Sequence, residues 1–251
     1  MNAKLITLLT TTATVLSFAP AAFGFSLVPQ QEGEINAGLG AAYGGASYLA
    51  SPGFAVESLA DSVGGVLSRL FVDKAGTQNI YGSGNSQIKF LAHDVGTAEV
   101  MKQYNNGYWF RPVYMETLSN GKLLEQGQLE AGTFRITFDS VMENLLVRWF
   151  DTEFLQNGQG TLYQAYDIAG NLVESGAIAA GKNNNIQTRS FSNVKSIVLD
   201  LGQRRGSTGD GVNFQLEGTP VQEVPEPITM TGLAVGAAGL MAARRRRSQK
   251  A

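Results

Sequence analysis

The segment Phe134-Arg135-Ile136-Thr137-Phe138 alternates apolar and polar side chains. Successive side chains of a β-strand point to opposite faces, so this pattern predicts a strand with its three apolar residues in a core. Arg135 and Thr137 would then face water. A helix would instead place its apolar residues three or four positions apart, and the period of two therefore indicates a β-protein.

Further segments share this alternation or are continuously apolar, and turn clusters such as Asn105-Asn106-Gly107 and Ala169-Gly170-Asn171 separate them. The predicted strands lie at residues 87–93, 145–150, 163–168, 172–178, 186–191, 194–201 and 212–216. Short strands with Gly/Asn turns are typical of antiparallel sandwiches and barrels. We therefore predict an all-β fold, an antiparallel jelly-roll-like β-sandwich over residues 77–220.

The preceding segment, residues 25–76, is rich in Gly and Ala between residues 35 and 46. We expect that part to be loosely ordered or to form an edge element over the sandwich. From Val56 to Phe71 the apolar residues follow helical spacing, although Gly64-Gly65 interrupts it. A short helix that ends before the Gly pair, followed by an extended segment 66–72, is an equal alternative.

Residues 1–24 have the pattern of a secretory signal peptide. Lys4 is the one charge ahead of an apolar, Thr-rich segment, and small residues follow it. Cleavage after Ala21 and cleavage after Gly24 are both compatible with the pattern, and we prefer Gly24. This segment implies the Sec machinery and signal peptidase as partners.

Residues 221–251 combine Pro225-Glu226-Pro227, an uncharged segment at 228–243 and the basic cluster Arg244-Arg245-Arg246-Arg247. A 16-residue helix would be about 24 Å long, slightly short of the roughly 30 Å hydrocarbon core of a bilayer. The arginines favour the cytoplasmic side, so the bulk of the chain would lie outside. On physical grounds alone, a permanent single-span transmembrane anchor and a removable one both remain open.

This tail resembles the PEP-CTERM sorting signal. The resemblance implies that an exosortase recognises Pro225, Glu226 and Pro227 and removes the tail, so that inner-membrane anchoring is transient and the protein reaches the cell surface or the medium. A second segment, Leu129-Glu130-Ala131-Gly132, is similar to the Leu-Glu-Val-Gly signature of cyanobacterial PEP-CTERM proteins, with Ala131 in place of Val.

Without the two terminal segments, residues 25–223 contain 13 basic and 20 acidic side chains, a formal charge of −7. An acidic domain argues against nucleic acid as a partner and is compatible with neutral polysaccharide or divalent cations. The chain has no Cys, so no disulfide stabilises it.

The sequence offers two candidate sites. Tyr108, Trp109 and Tyr114 lie near an Asn-Gly turn and are candidate glycan contacts, because aromatic faces stack on sugars. A Gly-rich turn is bordered by Asp200, Asp210 and Asn213, whose oxygen atoms suit calcium. We predict no other cofactor.

The catalytic inventory is poor. His93 is the only histidine, and its neighbour Asp94 would point to the other face of a strand. Asp151 and Glu153 form one carboxylate pair that could act on a glycosidic bond. The sequence thus predicts a non-enzymatic surface or extracellular-matrix protein with a structural or polysaccharide-interacting role. The alternatives are a secreted carbohydrate-active hydrolase and a permanently anchored envelope protein.

Overall fold

The computed structural model describes residues 24–60, 66–84, 87–91, 101–115, 131–152, 161–182, 185–202 and 212–221. The signal peptide, the tripeptide 225–227, the apolar segment 228–243 and the arginine cluster 244–247 lie outside these residues, apart from Gly24. Within the described ranges, no helix is long and apolar enough to cross a membrane.

The described residues contain twelve strands, all paired antiparallel. They are β1 (Phe25–Ser26), β2 (Gly33–Ile35), β3 (Phe54–Leu59), β4 (Ser68–Lys74), β5 (Asn79–Tyr81), β6 (Ile88–Phe90), β7 (Tyr108–Tyr114), β8 (Gly132–Phe150), β9 (Thr161–Tyr166), β10 (Leu172–Ile178), β11 (Ile186–Leu201) and β12 (Asn213–Pro220).

The fold is organised by the two longest strands, β8 with 19 residues and β11 with 16. They pair along their whole length, but the register shifts where β11 passes from Val194 to Ser196. There β8 has extra residues, and Lys195 Nζ donates a hydrogen bond to the Asp139 carbonyl at 2.8 Å. An excess of residues on one strand bends a ribbon, so the β8–β11 pair contributes to two sheets.

The first sheet has the order β10-β9-β11-β8-β3 and uses the 132–138 half of β8. The second has the order β11-β8-β12-β7-β4-β2 and uses the 142–150 half, with β1 beside β12. Ring contacts join the two layers: Phe54 to Phe110 at 5.9 Å between centroids and Trp149 to Tyr163 at 6.1 Å. The predicted all-β sandwich is confirmed.

The alternation at 134–138 sets the inner face of the first sheet as predicted. Phe134, Ile136 and Phe138 are each 0% exposed, while Arg135 is exposed. All three belong to one core cluster that also contains Trp149 from the second sheet. Burial of these large side chains is the main source of stability in a chain without disulfides.

The helical interpretation of residues 56–71 is wrong, because Phe54–Leu59 and Ser68–Lys74 are strands. Ala55 and Glu57 are exposed and alternate with buried Phe54, Val56 and Ser58, so β3 has the alternation of a strand once it pairs with β8. Partner strands far along the chain override a weak local helical pattern. The alternative of an extended segment at 66–72 is confirmed over Ser68 to Val72, and β2 is an edge element beside β4.

Candidate functional site

The aromatic residues predicted to contact glycans are part of the packing. Trp109 is 1% exposed and Tyr114 is 3% exposed. Half-buried Tyr108 packs against the main core, with Lys74 Nζ 4.9 Å from its ring centroid. Because β7 lies inside the second sheet and is covered on both faces, Trp109 and Tyr114 present no open ring to a sugar.

The three residues proposed for calcium are not brought together in the described part of the chain. Asp200 lies in β11 of the first sheet, where it accepts a hydrogen bond from Thr133 Oγ1 at 2.9 Å. Asn213 is buried at the start of β12 in the second sheet, and Asp210 lies outside the described residues. Within the described ranges, no group of three or more His, Cys, Asp or Glu is placed to hold a metal ion.

Of the two proposed catalytic carboxylates, the structure describes Asp151. Asp151 is 1% exposed and has a left-handed backbone with φ 59° at the end of β8. A carboxylate at that depth does not reach a polymeric substrate in solution. Its partner Glu153, like His93, lies outside the described residues.

The structure instead shows a groove on the outer face of the first sheet, with a volume of about 400 Å³. Six of its lining side chains come from alternate positions of four strands, which antiparallel pairing places on one face: Thr133, Leu162, Gln164, Ser175, Val198 and Asp200. Tyr163 and Gly176 complete the lining. Volumes of this size are typical of small-ligand sites.

The hydrogen-bonding groups of the groove are partly ordered by one another. Thr133 holds the Asp200 carboxylate, and Tyr166 Oη donates to Gln164 Oε1 at 2.9 Å from the same face. Leu162 and Val198 lie between these polar groups and provide apolar contact area. Carboxylate, amide, hydroxyl and aromatic groups on one surface suit a ligand rich in hydroxyl groups.

The charge of the groove is that of one carboxylate. Arg135, opposite Val198 in the pairing of β8 with β11, forms a 2.8 Å ion pair with Glu57. Within the lining there is no cation, and Asp200 is the only ionisable carboxyl group. A polyanionic ligand would therefore be disfavoured, whereas a neutral one would not.

The wall of the groove depends on a close contact between β9 and β10. A Cβ atom on Gly176 would lie 2.6 Å from Tyr163 Oη, so a side chain at this position would displace the tyrosine. Tyr163 Oη donates to Glu174 Oε1 at 2.9 Å, and burial followed by this hydrogen bond raises the pKa of Tyr163. The phenol therefore stays neutral as a donor at physiological pH.

Sequence reasoning missed a second polar cluster, which lies on the outer face of the second sheet. Arg111 is 0% exposed and forms a 2.8 Å ion pair with Asp73, and its guanidinium carbon lies 4.2 Å from the Phe90 ring centroid. The β5–β6 hairpin supplies Phe90 and covers the pair. An arginine inside the apolar strand Tyr108–Tyr114 was the available signal.

Burial is the largest influence on the pKa values of Asp73 and Tyr81 in this cluster. Burial raises the pKa of Asp73 above its ordinary value of 3.8, and the charge and hydrogen bond of Arg111 oppose that rise. Burial also raises the pKa of Tyr81, with smaller contributions from Asp73 and Glu32. The β5–β6 hairpin covers the Arg111–Asp73 ion pair, so we assign this cluster to stability.

Comparison with known protein families bears on the C-terminal tail. Residues 223–247 match the family of the PEP-CTERM protein-sorting motif. The chain carries a PEP-CTERM sorting signal. The match includes the tripeptide 225–227 and Arg244 to Arg247, so the resemblance of the tail is confirmed.

The PEP-CTERM signal marks the chain as an exosortase target that is directed to secretion or the cell surface. The matched residues lie outside the described part of the chain and concern the tail alone. No match to the chain is found among curated proteins.

Proposed function

We propose that this PEP-CTERM protein is cleaved by an exosortase after export and that its β-sandwich binds neutral extracellular polysaccharide in the outer-face groove without turning it over. The observation that carries the proposal is the groove of about 400 Å³, with Asp200, Gln164 and Thr133 among its lining residues. The groove belongs to a chain whose sorting signal directs it to secretion or the cell surface.

Three features support a neutral polysaccharide over other ligands. The groove carries one carboxylate and no cation among its lining residues. The exported part of the chain, with 13 basic and 20 acidic residues, would repel nucleic acid and acidic polymers. Tyr166, hydrogen-bonded to Gln164, adds an aromatic ring on the same face for contact with sugar C–H groups.

Binding is tested on a glycan array with the purified exported protein, followed by calorimetric titration of the best ligand. Asp200→Asn removes the charged acceptor and should weaken binding by roughly 10- to 100-fold, since hydrogen bonds to charged groups contribute about 1.5–3 kcal/mol. The matched control is Glu143→Gln, which removes one carboxylate from an exposed position of β8 outside the groove lining. Equal affinities of the two variants would refute the groove as the site.

Processing is tested separately. An immunoblot compares the chain in cells with and without the exosortase, and removal of the tail should give a smaller product only in the former. Replacing Glu226 by Ala should reproduce the larger form in exosortase-positive cells. Identical sizes in both strains would instead support the permanently anchored alternative.

A further inference from the structure

The C-terminal tail leaves the sandwich where the β8–β11 pair bends from one sheet to the other. After the end of β12, Val221 N donates a 2.8 Å hydrogen bond to the Val141 carbonyl. The uncharged segment 228–243 begins seven positions after Val221. A chain spans at most about 3.3–3.6 Å per residue, so at most about 25 Å separates this end from that segment. We call this part of the sandwich, formed by residues 139–142, 194–196 and Val221, the tail-bearing end.

The turn between β9 and β10 reaches the same end. In the pairing of β9 with β11, Tyr166 lies opposite Ser196, so the chain that follows β9 continues toward Val194 and the bend. Strand β10 starts beside it, with Leu172 opposite Tyr166. The β9–β10 turn, residues 167–171, therefore projects from the tail-bearing end.

Exposed apolar side chains are concentrated at this end. Of the seven large apolar side chains that are exposed in the described ranges, five lie at or near the tail-bearing end: Phe25, Ile168, Leu172, Val173 and Val221. The other two, Leu67 before β4 and Ile80 in the β5–β6 hairpin, lie toward the opposite end of the second sheet, where β12 begins. Exposed apolar surface of this kind marks a contact with a membrane or another protein.

The β9–β10 turn holds its apolar residue in a fixed position. The Asp167 carboxylate accepts hydrogen bonds from Ala169 N at 2.9 Å, from Asn171 N at 2.8 Å and from Asn171 Nδ2 at 3.0 Å. Its charge is thereby directed to the N–H groups of the turn itself, while Ile168 is 74% exposed. An ordered turn presents this side chain without the entropy cost of fixing a loop on binding.

We propose that, while the tail is uncut, the tail-bearing end lies on the outer surface of the inner membrane, with Ile168, Leu172 and Val221 at the level of the lipid headgroups. The tether argues for a bilayer as the partner, because at most about 25 Å of chain joins this end to the membrane that the tail would enter. The exposed carboxylates of Asp139 and Glu143 disfavour anionic lipids, so the surface fits zwitterionic headgroups. This contact depends on the membrane anchoring that precedes exosortase cleavage in the proposed function.

The contact would keep the outer-face groove away from the bilayer. Asp200 lies four residues along β11 from Ser196, on the side away from the bend, which is a distance of about 14 Å. Its partner Thr133 lies equally far along β8 from Thr137. The groove would therefore stay open to a ligand before the tail is removed.

A fluorescent label on a single introduced cysteine tests the contact, because the chain has no Cys of its own. The full chain with its tail is purified from cells that lack the exosortase and is reconstituted into phosphatidylcholine vesicles, with a nitrobenzoxadiazole label on Ile168→Cys. The emission should shift to shorter wavelength on reconstitution, and nitroxide-labelled phosphatidylcholine should quench it. A label on Leu172→Cys should behave in the same way, which keeps the test decisive if the first variant fails to fold.

The matched control is a label on Ile80→Cys, an exposed isoleucine of the β5–β6 hairpin, which should show neither the shift nor the quenching. Vesicle flotation reports separately on the tail. A chain that does not float with the vesicles would overturn both the anchoring and this contact. A chain that floats but whose labels on Ile168→Cys and Ile80→Cys behave alike would overturn the contact alone. A shift at Ile168→Cys without lipid quenching would indicate burial against a second copy and would also overturn it.

Discussion

Removing Arg111 while keeping its apolar stem is the sharpest test of how the second sheet is stabilised. Arg111→Met leaves the Asp73 carboxylate buried at 3% exposure without the guanidinium that lies 2.8 Å away. Loss of one partner of a buried ion pair costs about 3–5 kcal/mol. For a domain of this size the melting temperature should fall by about 6–20 °C.

The loss of folding stability caused by Arg111→Met should depend on pH in a defined direction. Burial already raises the pKa of Asp73 above 3.8 in the folded protein, and Arg111 is the main influence that lowers it. A folded state that binds the proton more tightly than the unfolded chain loses stability as the pH rises through the interval between the two pKa values. Arg111→Met widens that interval, so its cost should be largest at neutral pH and smaller near pH 3.8 and below.

The assay is urea unfolding followed by tryptophan fluorescence at several pH values. The chain's two tryptophans report on both faces of the second sheet. Trp149 lies in the main core at 0% exposure, and Trp109, at 1% exposure, packs with Met101 and Phe150 on the other face. The urea concentration at the midpoint of unfolding should fall. The slope of the unfolding free energy against urea concentration should stay constant, because the surface area exposed on unfolding is unchanged.

A double-mutant cycle completes the test. Asp73→Leu alone leaves Arg111 buried without the Asp73 carboxylate and should also be destabilising, whereas Arg111→Met combined with Asp73→Leu should cost less than either single change. An Arg111→Met cost below about 1 kcal/mol at neutral pH would refute the reasoning. So would a cost that is the same in acid and at neutral pH.

Gly176→Ala brings a methyl group to within 2.6 Å of Tyr163 Oη and should cost about 1–3 kcal/mol in urea unfolding. The Tyr163 ring atoms Cζ and Cε1 would also lie within 2.9 and 3.2 Å of that methyl group, so the cost should shrink in a Tyr163→Ala background, and an undiminished cost there would contradict the close contact. Asp167 accepts hydrogen bonds from Asn171, which lower its pKa. The stability it contributes is present above its ordinary pKa of 3.8 and lost as the pH falls through the lower folded value. Asp167→Ala should therefore lower the melting temperature at pH 7 and not in strong acid, and a difference that persists in acid would argue against this role. Trp149→Ala should cost about 3–5 kcal/mol by thermal unfolding, because the side chain is 0% exposed, and a cost under about 1 kcal/mol would show that the two layers are not packed as described.

Prediction from the sequence succeeded where adjacent residues carry the information. The alternation at 134–138 identified the buried face of β8, and the segment 172–178 coincides with β10. It failed at 56–71, where an apparent helical spacing spans two strands that pair with β8 and β7. Those partners lie more than 30 residues further along the chain, so no local pattern reports them.

The candidate sites show the same limit. Tyr108, Trp109 and Tyr114 were predicted as candidate glycan contacts, but β7 is covered on its second face by the β5–β6 hairpin and by packing around Met101. Of the groove residues, only Asp200 was singled out, and for calcium. The groove needs Thr133, Gln164, Ser175 and Asp200 side by side, and only the pairing of four strands achieves that.

The sequence by itself determined the class of the fold and the destination of the chain, because alternation, the Pro-Glu-Pro tripeptide and the arginine cluster are read from neighbouring residues. Tertiary structure alone decided which polar side chains converge and which aromatic rings are hidden. The physical reason is that a strand's own residues set which side chains share a face, whereas the exposure of that face depends on what distant segments pack against it.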